Sequence, residues 1–330
     1  MAMTAAMCNR RAKDRRRRRL VQGDAAADAL LELLAELERR GYDFVAPTPA
    51  THQRVVARPG MSEAQDLRGI FGWSLPFAAE VLPPALRDLL ERAGSLRREG
   101  ALLKSGVRVA RIHGRLFLHS PFPTEAEDAV FFGPDTYRFA DFLRSELPRG
   151  GRATRLVDLG AGSGAGGILA APYVPGARIT LLDTNPRALR KAAINGRHAG
   201  VEVELVEGES IDAVAGAVDL IIANPPYMID PSDRTYRNGG SMHGAALSLD
   251  WGLAGARRLE PGGRMLLYTG VAIVDGRDPF RHELERALPG LGCTLRYREI
   301  DPDVFGEELE TPAYADVERI AVVGAVIERK

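Results

Sequence analysis

A mostly parallel α/β sheet of seven strands, ending in an antiparallel hairpin and preceded by a smaller α+β unit, is the fold this sequence predicts. Three observations lead there. From residue 151 onward, short apolar runs alternate with helical stretches, the pattern of a parallel sheet covered on both faces. A glycine-rich turn, Asp158-Leu159-Gly160-Ala161-Gly162-Ser163-Gly164, follows the first apolar run. The alternation breaks at the end of the chain, where no helical stretch separates the last two runs, so those two should pair as a hairpin. With 330 residues and 45% hydrophobic content, the chain can build a full core for one large and one smaller domain.

The elements follow in order. Residues 1–23 form a basic tail: Arg10, Arg11, Lys13 and Arg15 to Arg19 against Asp14 give segment 10–19 a net charge of +7 in a chain of zero formal charge. Such a run repels itself and is expected to be disordered, as an RNA-seeking arm or a solvated tail. No apolar stretch follows the arginines, so a secretory signal is not expected. Residues 24–130 read as an α+β unit for substrate recognition. Leu30, Leu31, Leu33, Leu34 and Leu37 recur at helical spacing over 24–40, with Gly41 as the stop. A second helix is expected over Pro84 to Ala93. Val107 to Ile112 alternates, His113-Gly114 turns, and Arg115 to His119 returns as a hairpin, so a winged-helix-like arrangement fits. Arg108, Arg111 and Arg115 would then lie on an outer strand face, toward RNA or solvent. Residues 131–150 are expected to be a linker helix.

The larger domain occupies residues 151–330. Its strands are predicted at 155–158, 179–182, 201–206, 218–223, 264–269, 294–300 and 318–327, with helices at 165–171, 186–199 and 245–259. Pro186 sits at the first turn of its helix, where a missing N–H costs nothing. No apolar run reaches the length of a membrane span. Cys8 and Cys293 are far apart and match no metal-ligand spacing, and His113, His119, His198 and His243 do not cluster. A reduced, cytoplasmic protein without a metal is the expectation.

A parallel sheet binds its ligand beyond the carboxyl ends of its strands. There Asp158 ends the first strand, and Gly160, Ala161, Gly162 and Gly164 let the backbone approach a cofactor closely. Asp183 ends the second strand, followed by Thr184 and Asn185, and its carboxylate can accept from both hydroxyls of a ribose. Glu209, with Ser210 beside it, is placed for an adenine amine. A dinucleotide would use the same turn and carboxylate. The tie is broken by Asn224-Pro225-Pro226-Tyr227, which closes the run Val218 to Ala223. An amide or base NH2 is a poor nucleophile because its lone pair is delocalised. Two acceptors, the Asn224 side-chain oxygen and the Pro225 carbonyl, can hold its two hydrogens and favour a geometry that frees the lone pair. The Tyr227 ring can lie against the flat group and favour a nearby sulfonium. The combination implies S-adenosyl-L-methionine as cofactor and methyl transfer to nitrogen. Residues 230–244 are long and polar enough for a recognition loop, with Arg234, Tyr236 and Arg237 as candidate substrate contacts.

On these residues the chain resembles the release-factor glutamine methyltransferase group within the wider class of enzymes carrying a methyltransferase small domain. The resemblance covers roughly Phe131 to Gly270. It rests on Gly133-Pro134-Asp135-Thr136-Tyr137, on Asp158 to Gly164, on Asp183 with Asn185-Pro186 and Asn195, and on Asn224 to Tyr227. It implies the seven-stranded, Rossmann-like sheet of class I methyltransferases. It also implies that Asp135, Thr136 and Tyr137 help to line the site. Gly133 stands where that group usually has arginine, and Tyr137 where it has glutamate. The acceptor therefore stays open: a glutamine side chain of a protein, adenine N6 or guanine N2 in nucleic acid, a small metabolite, or a non-catalytic binding role.

Overall fold

The computed structural model describes residues 24–330 apart from 125, 127, 231–233 and 235; the basic tail over 1–23 and Cys8 lie outside the described residues. Four helices come first: α1 (Ala25–Arg39), α2 (Pro49–Val56), α3 (Leu67–Phe71) and α4 (Pro84–Arg92). Asp24 caps α1 by accepting from the Ala26 and Ala27 amides, and the leucine stripe turns inward, with Leu33, Leu34 and Leu37 fully buried. Two antiparallel hairpins follow. One pairs β1 (Leu96–Glu99) with β2 (Leu102–Ser105), the other β3 (Arg108–Ile112) with β4 (Arg115–His119).

The second hairpin corrects one expectation. Arg108 does not face outward; it is buried and donates from Nε to the Gly72 carbonyl at 2.8 Å. Arg111 pairs with Glu38 at 2.9 Å, and Arg115 donates to the Ala199 carbonyl at 2.7 Å. The alternation was real, but both faces of the hairpin are covered, so each guanidinium is used inside the molecule.

Helix α5 (Pro134–Glu146) buries Phe139, Phe142 and Leu143 against the sheet. Phe142 lies so close to Gly324 that a Cβ there would come within 2.5 Å of its ring. Then come β5 (Arg155–Leu159), α6 (Ala165–Ala170), β6 (Arg178–Asp183), α7 (Pro186–Ala199), β7 (Glu204–Glu207), β8 (Val218–Ala223), α8 (Ala246–Arg258), β9 (Leu259–Ile273), α9 (Pro279–Ala287), β10 (Cys293–Asp301) and β11 (Arg319–Arg329). The sheet order is β10-β11-β9-β8-β5-β6-β7. Strands β7, β6, β5, β8 and β9 run parallel, whereas β11 is antiparallel to both β9 and β10. This is the class I methyltransferase sheet.

The order reverses at β5: the chain runs outward through β6 and β7, then returns to place β8 on the other side. A crevice opens at such a switch point. Leu159 and Ala223 are register partners in the β5·β8 pair, so the glycine turn and the Asn224 corner leave the sheet side by side.

Candidate active site

The cavity over the carboxyl ends of β5, β6 and β8 has a volume of about 330 Å³. The glycine turn forms its floor. Gly160, Gly162 and Gly164 all have positive φ (+74°, +53° and +78°), a backbone region that disfavours any Cβ. A Cβ on Gly160 would also lie 2.6 Å from the Trp251 ring. Two glycines that the sequence reading did not single out open the helix after the turn, in α6. A Cβ on Gly166 would meet Phe139 at 2.8 Å and the Asp158 carboxylate at 2.9 Å, and one on Gly167 would meet Leu181 at 2.5 Å.

The predicted acidic residues brace this turn. Asp158 is buried, and its Oδ2 accepts from the Gly167 amide at 2.7 Å. Burial pushes its carboxyl up to about 7, with the Asp183 charge adding to that and the Gly167 N–H opposing it. Asp183 accepts from the Gly162 and Asn185 amides, each at 2.8 Å, while burial raises its carboxyl too. A carboxylate has about four acceptor positions, so Asp183 can serve the turn and a ribose at once. Thr184, Asn185 and Glu209 line the cavity. Asn185 also caps α7 by accepting from Arg187 N at 2.9 Å, and its Nδ2 donates to the Asp128 carbonyl at 2.8 Å. Ser210 and Gly164 are not part of the lining. The Ser210 hydroxyl accepts from Asp212 N at 3.3 Å, which closes a local turn.

Asn224, Pro225, Pro226 and Tyr227 form the wall next to the turn. Among the described residues the Asn224 side chain makes no hydrogen bond, and the Pro225 carbonyl accepts none. Tyr227 sits deeper than a free stacking surface. Its ring covers Gly270, where a Cβ would come within 2.3 Å of it, and meets Phe305 edge-on at 6.1 Å. The Tyr227 hydroxyl is buried beside the Asp135 carboxyl and interacts with it, although the two fall short of hydrogen-bond geometry.

Asp135 and Thr136 line the cavity, from the first turn of α5. Asp135 is buried, which raises its carboxyl; it accepts from the Tyr268 hydroxyl at 3.0 Å. Tyr137 turns away to the amino-terminal unit, where its hydroxyl accepts from Ala46 N at 3.0 Å. Of the loop residues, Tyr236 and Arg237 reach the cavity. Arg234 lies behind them, bound through Nε and Nη2 to Asp230 at 2.7 Å each, with its guanidinium 5.8 Å from the Tyr236 ring. Phe131, Trp251 and Phe305 also line the cavity and had no signal in local sequence, since each arrives from a distant segment. Phe131 and Tyr236 stack with planes 5° apart and centroids at 6.2 Å, joining the segment before α5 to the loop after the Asn224 corner. Among the described residues no cluster of His, Cys, Asp and Glu is placed to hold a metal ion, and no helix is long and apolar enough to cross a membrane.

Comparison with known proteins agrees with this geometry. Residues 127–252 match the family model of the methyltransferase small domain. The chain is 32% identical over 161 residues to a release factor glutamine methyltransferase of Deinococcus radiodurans, covering 47% of this chain and 55% of that protein. It is 35% identical over 142 residues to a 4-amino-L-phenylalanine/4-methylamino-L-phenylalanine methyltransferase of Streptomyces pristinaespiralis, covering 39% and 48%. A ribosomal RNA large subunit methyltransferase G of Ectopseudomonas mendocina is 32% identical over 162 residues, covering 44% and 43%. The chain thus spans about half the length of the curated relatives it matches. The matched region is a class I methyltransferase domain, and its cofactor is S-adenosylmethionine. The cavity suits that group: a turn of positive-φ glycines, a carboxylate at Asp183 with acceptor positions to spare, and aromatic and aliphatic walls.

Proposed function

We propose that this chain, built around a class I S-adenosylmethionine-dependent methyltransferase domain, methylates a planar NH2 nitrogen, and that the acceptor is a glutamine side chain of a protein. The observation that carries the reading is the Asn224 corner. A side-chain amide and a proline-stiffened carbonyl, both without hydrogen-bond partners among the described residues, stand on the wall of the cavity whose floor is the glycine turn. When bound, the cofactor supplies an electrophilic methyl group. The chain's own part is to hold the acceptor: Asn224 Oδ1 and the Pro225 oxygen each take one N–H, which turns the nitrogen lone pair toward the glycine turn. Such positioning can lower a barrier by about 7–11 kcal/mol in the best intramolecular cases.

The charge around the cavity favours a peptide over a nucleic acid. Arg237 pairs with Glu308, Arg234 with Asp230 at 2.7 Å, and Arg138 with Asp301 at 3.0 Å. Binding of a polyanion draws on cations free to neutralise phosphates. These three are already compensated, and a neutral amide makes no such demand. The amino-terminal unit over 24–130 would recognise the protein that carries the glutamine. The relative that acts on ribosomal RNA keeps a base amine as the second reading. Transfer of labelled methyl from the cofactor into fractionated protein and RNA separates the two: label in glutamine of a protein is expected, whereas label confined to RNA, or to a small planar amine, overturns the choice of acceptor.

A further inference from the structure

Asn195 lies in the middle of α7, fully buried, and it joins two parts of the molecule that are far apart in sequence. Its Oδ1 accepts from the Leu118 amide at 2.8 Å, and its Nδ2 donates to the Leu118 carbonyl at 3.1 Å. The same Nδ2 donates to the Ser163 carbonyl at 2.8 Å. Leu118 belongs to β4 of the amino-terminal unit; Ser163 belongs to the glycine turn and lines the cavity. One amide therefore pairs with the backbone of a strand edge, as a neighbouring strand would, and holds the cofactor turn with its remaining donor. The rest of α7 repeats the connection at its ends, through Arg115 to the Ala199 carbonyl and through Asn185 to the Asp128 carbonyl.

We propose that Asn195 is a positioning residue through which docking of the amino-terminal unit sets the affinity of the cofactor turn. The physical reason is reciprocity. Ordering Gly160, Gly162 and Gly164 costs more backbone entropy than ordering other residues, and the Ser163 carbonyl is held from the side by an amide whose orientation is fixed by β4. Whatever orders β4 orders the turn, and by linkage a ligand that orders the turn must tighten β4. The inference rests on reading the cavity as the cofactor site, and it is independent of which acceptor is methylated.

Two measurements test it on the full chain. Calorimetry of S-adenosylmethionine binding compares the wild type with Asn195→Ala and with Arg197→Ala, which removes only the exposed ion pair between α7 and Asp28 of α1. Asn195→Ala is expected to raise Kd roughly 10-fold, within the span usual for coupled sites, and Arg197→Ala to leave it unchanged. Hydrogen exchange on the wild type, which needs no variant to fold, should show slower exchange across 108–119 when the cofactor is added. Unchanged affinity in a folded Asn195→Ala, an equal loss in Arg197→Ala, or exchange in 108–119 that ignores the cofactor would overturn the proposal. A wild type that binds no cofactor would instead sink the methyltransferase reading itself.

Discussion

Asn224 and Tyr227 stand three residues apart, and the cavity uses them differently. Asn224 offers an amide with no hydrogen-bond partner among the described residues, so its removal should leave the fold and the glycine turn intact. We expect Asn224→Ala to lower kcat by about 10²–10³, the scale of a lost oxyanion-type contact, with cofactor Kd unchanged. Single-turnover transfer to the substrate found to accept the methyl group checks this; near-wild-type turnover would make the corner only a turn. Tyr227 is buried beneath that corner, with its hydroxyl beside the Asp135 carboxyl. Tyr227→Phe removes a hydroxyl whose contact with the Asp135 carboxyl falls short of a hydrogen bond, so its melting temperature should stay close to the wild type's. Tyr227→Ala opens a cavity over Gly270 and should cost about 3–5 kcal/mol in denaturant titration. The glycines and Asn224 were legible in the sequence because backbone sterics and hydrogen-bond chemistry are written in the residue itself. The depth of Tyr227 was not, since Gly270 and Phe305 cover its ring from other segments.

Elements whose limits are set locally were read closely. The sequence places α7 at 186–199, its observed span, because Asn185 caps its start and Gly200, at φ +67°, ends it. Strand β9 runs longer than predicted, over Leu259–Ile273, because β8 pairs Val218 with Leu259 at one end and β11 pairs with it as far as Ile273 at the other. Helices α2 and α9 escaped notice: each is short and mostly polar, and each is defined by a cap, at Thr48 and Asp278, more than by a stripe. The glycine turn with its two braces carries two predictions at this scale. Asp183→Ala removes the acceptor of the Gly162 and Asn185 amides as well as a ribose partner. Cofactor binding should weaken by about 1.5–3 kcal/mol, and calorimetry showing unchanged affinity would remove Asp183 from the site. Asp158 acts on stability. Its folded carboxyl stands near 7 against an ordinary value of 3.8, so between those limits the folded chain holds a proton that the unfolded chain releases. That contribution is complete below pH 3.8 and is lost as pH rises through 7. The melting temperature of the wild type, taken relative to Asp158→Asn at each pH, should therefore fall from about pH 4 to pH 7. A flat difference would show that Asp158 is not protonated in the fold.

Among the described residues, the helices of the amino-terminal unit and the sheet domain share one apolar seam. Alternation of strands and helices was enough to read the sheet and its terminal hairpin, because those depend on patterns within about fifteen residues of one another. Contact between α1–α4 and the sheet domain has no such pattern. Ala165, Ile168 and Leu169 of α6 and Ile194 of α7 belong to the same buried cluster as Leu33, Leu34 and Leu37 of α1. Arg190 and Arg197 of α7 pair with Asp24 and Asp28 at the start of α1, at 2.7 and 2.8 Å. These surface pairs add little to stability, so the apolar seam does most of the holding. Cutting the chain at residue 131 would expose that seam on α6 and α7, beside the glycine turn. Residues 131–330 alone should therefore melt at a lower temperature than the full chain, bind a hydrophobic dye, and bind S-adenosylmethionine more weakly, because Asn195 loses Leu118 as its anchor. A fragment with the melting temperature and the cofactor affinity of the full chain would show that the amino-terminal unit is an appendage, and that the seam is only a resting place for it.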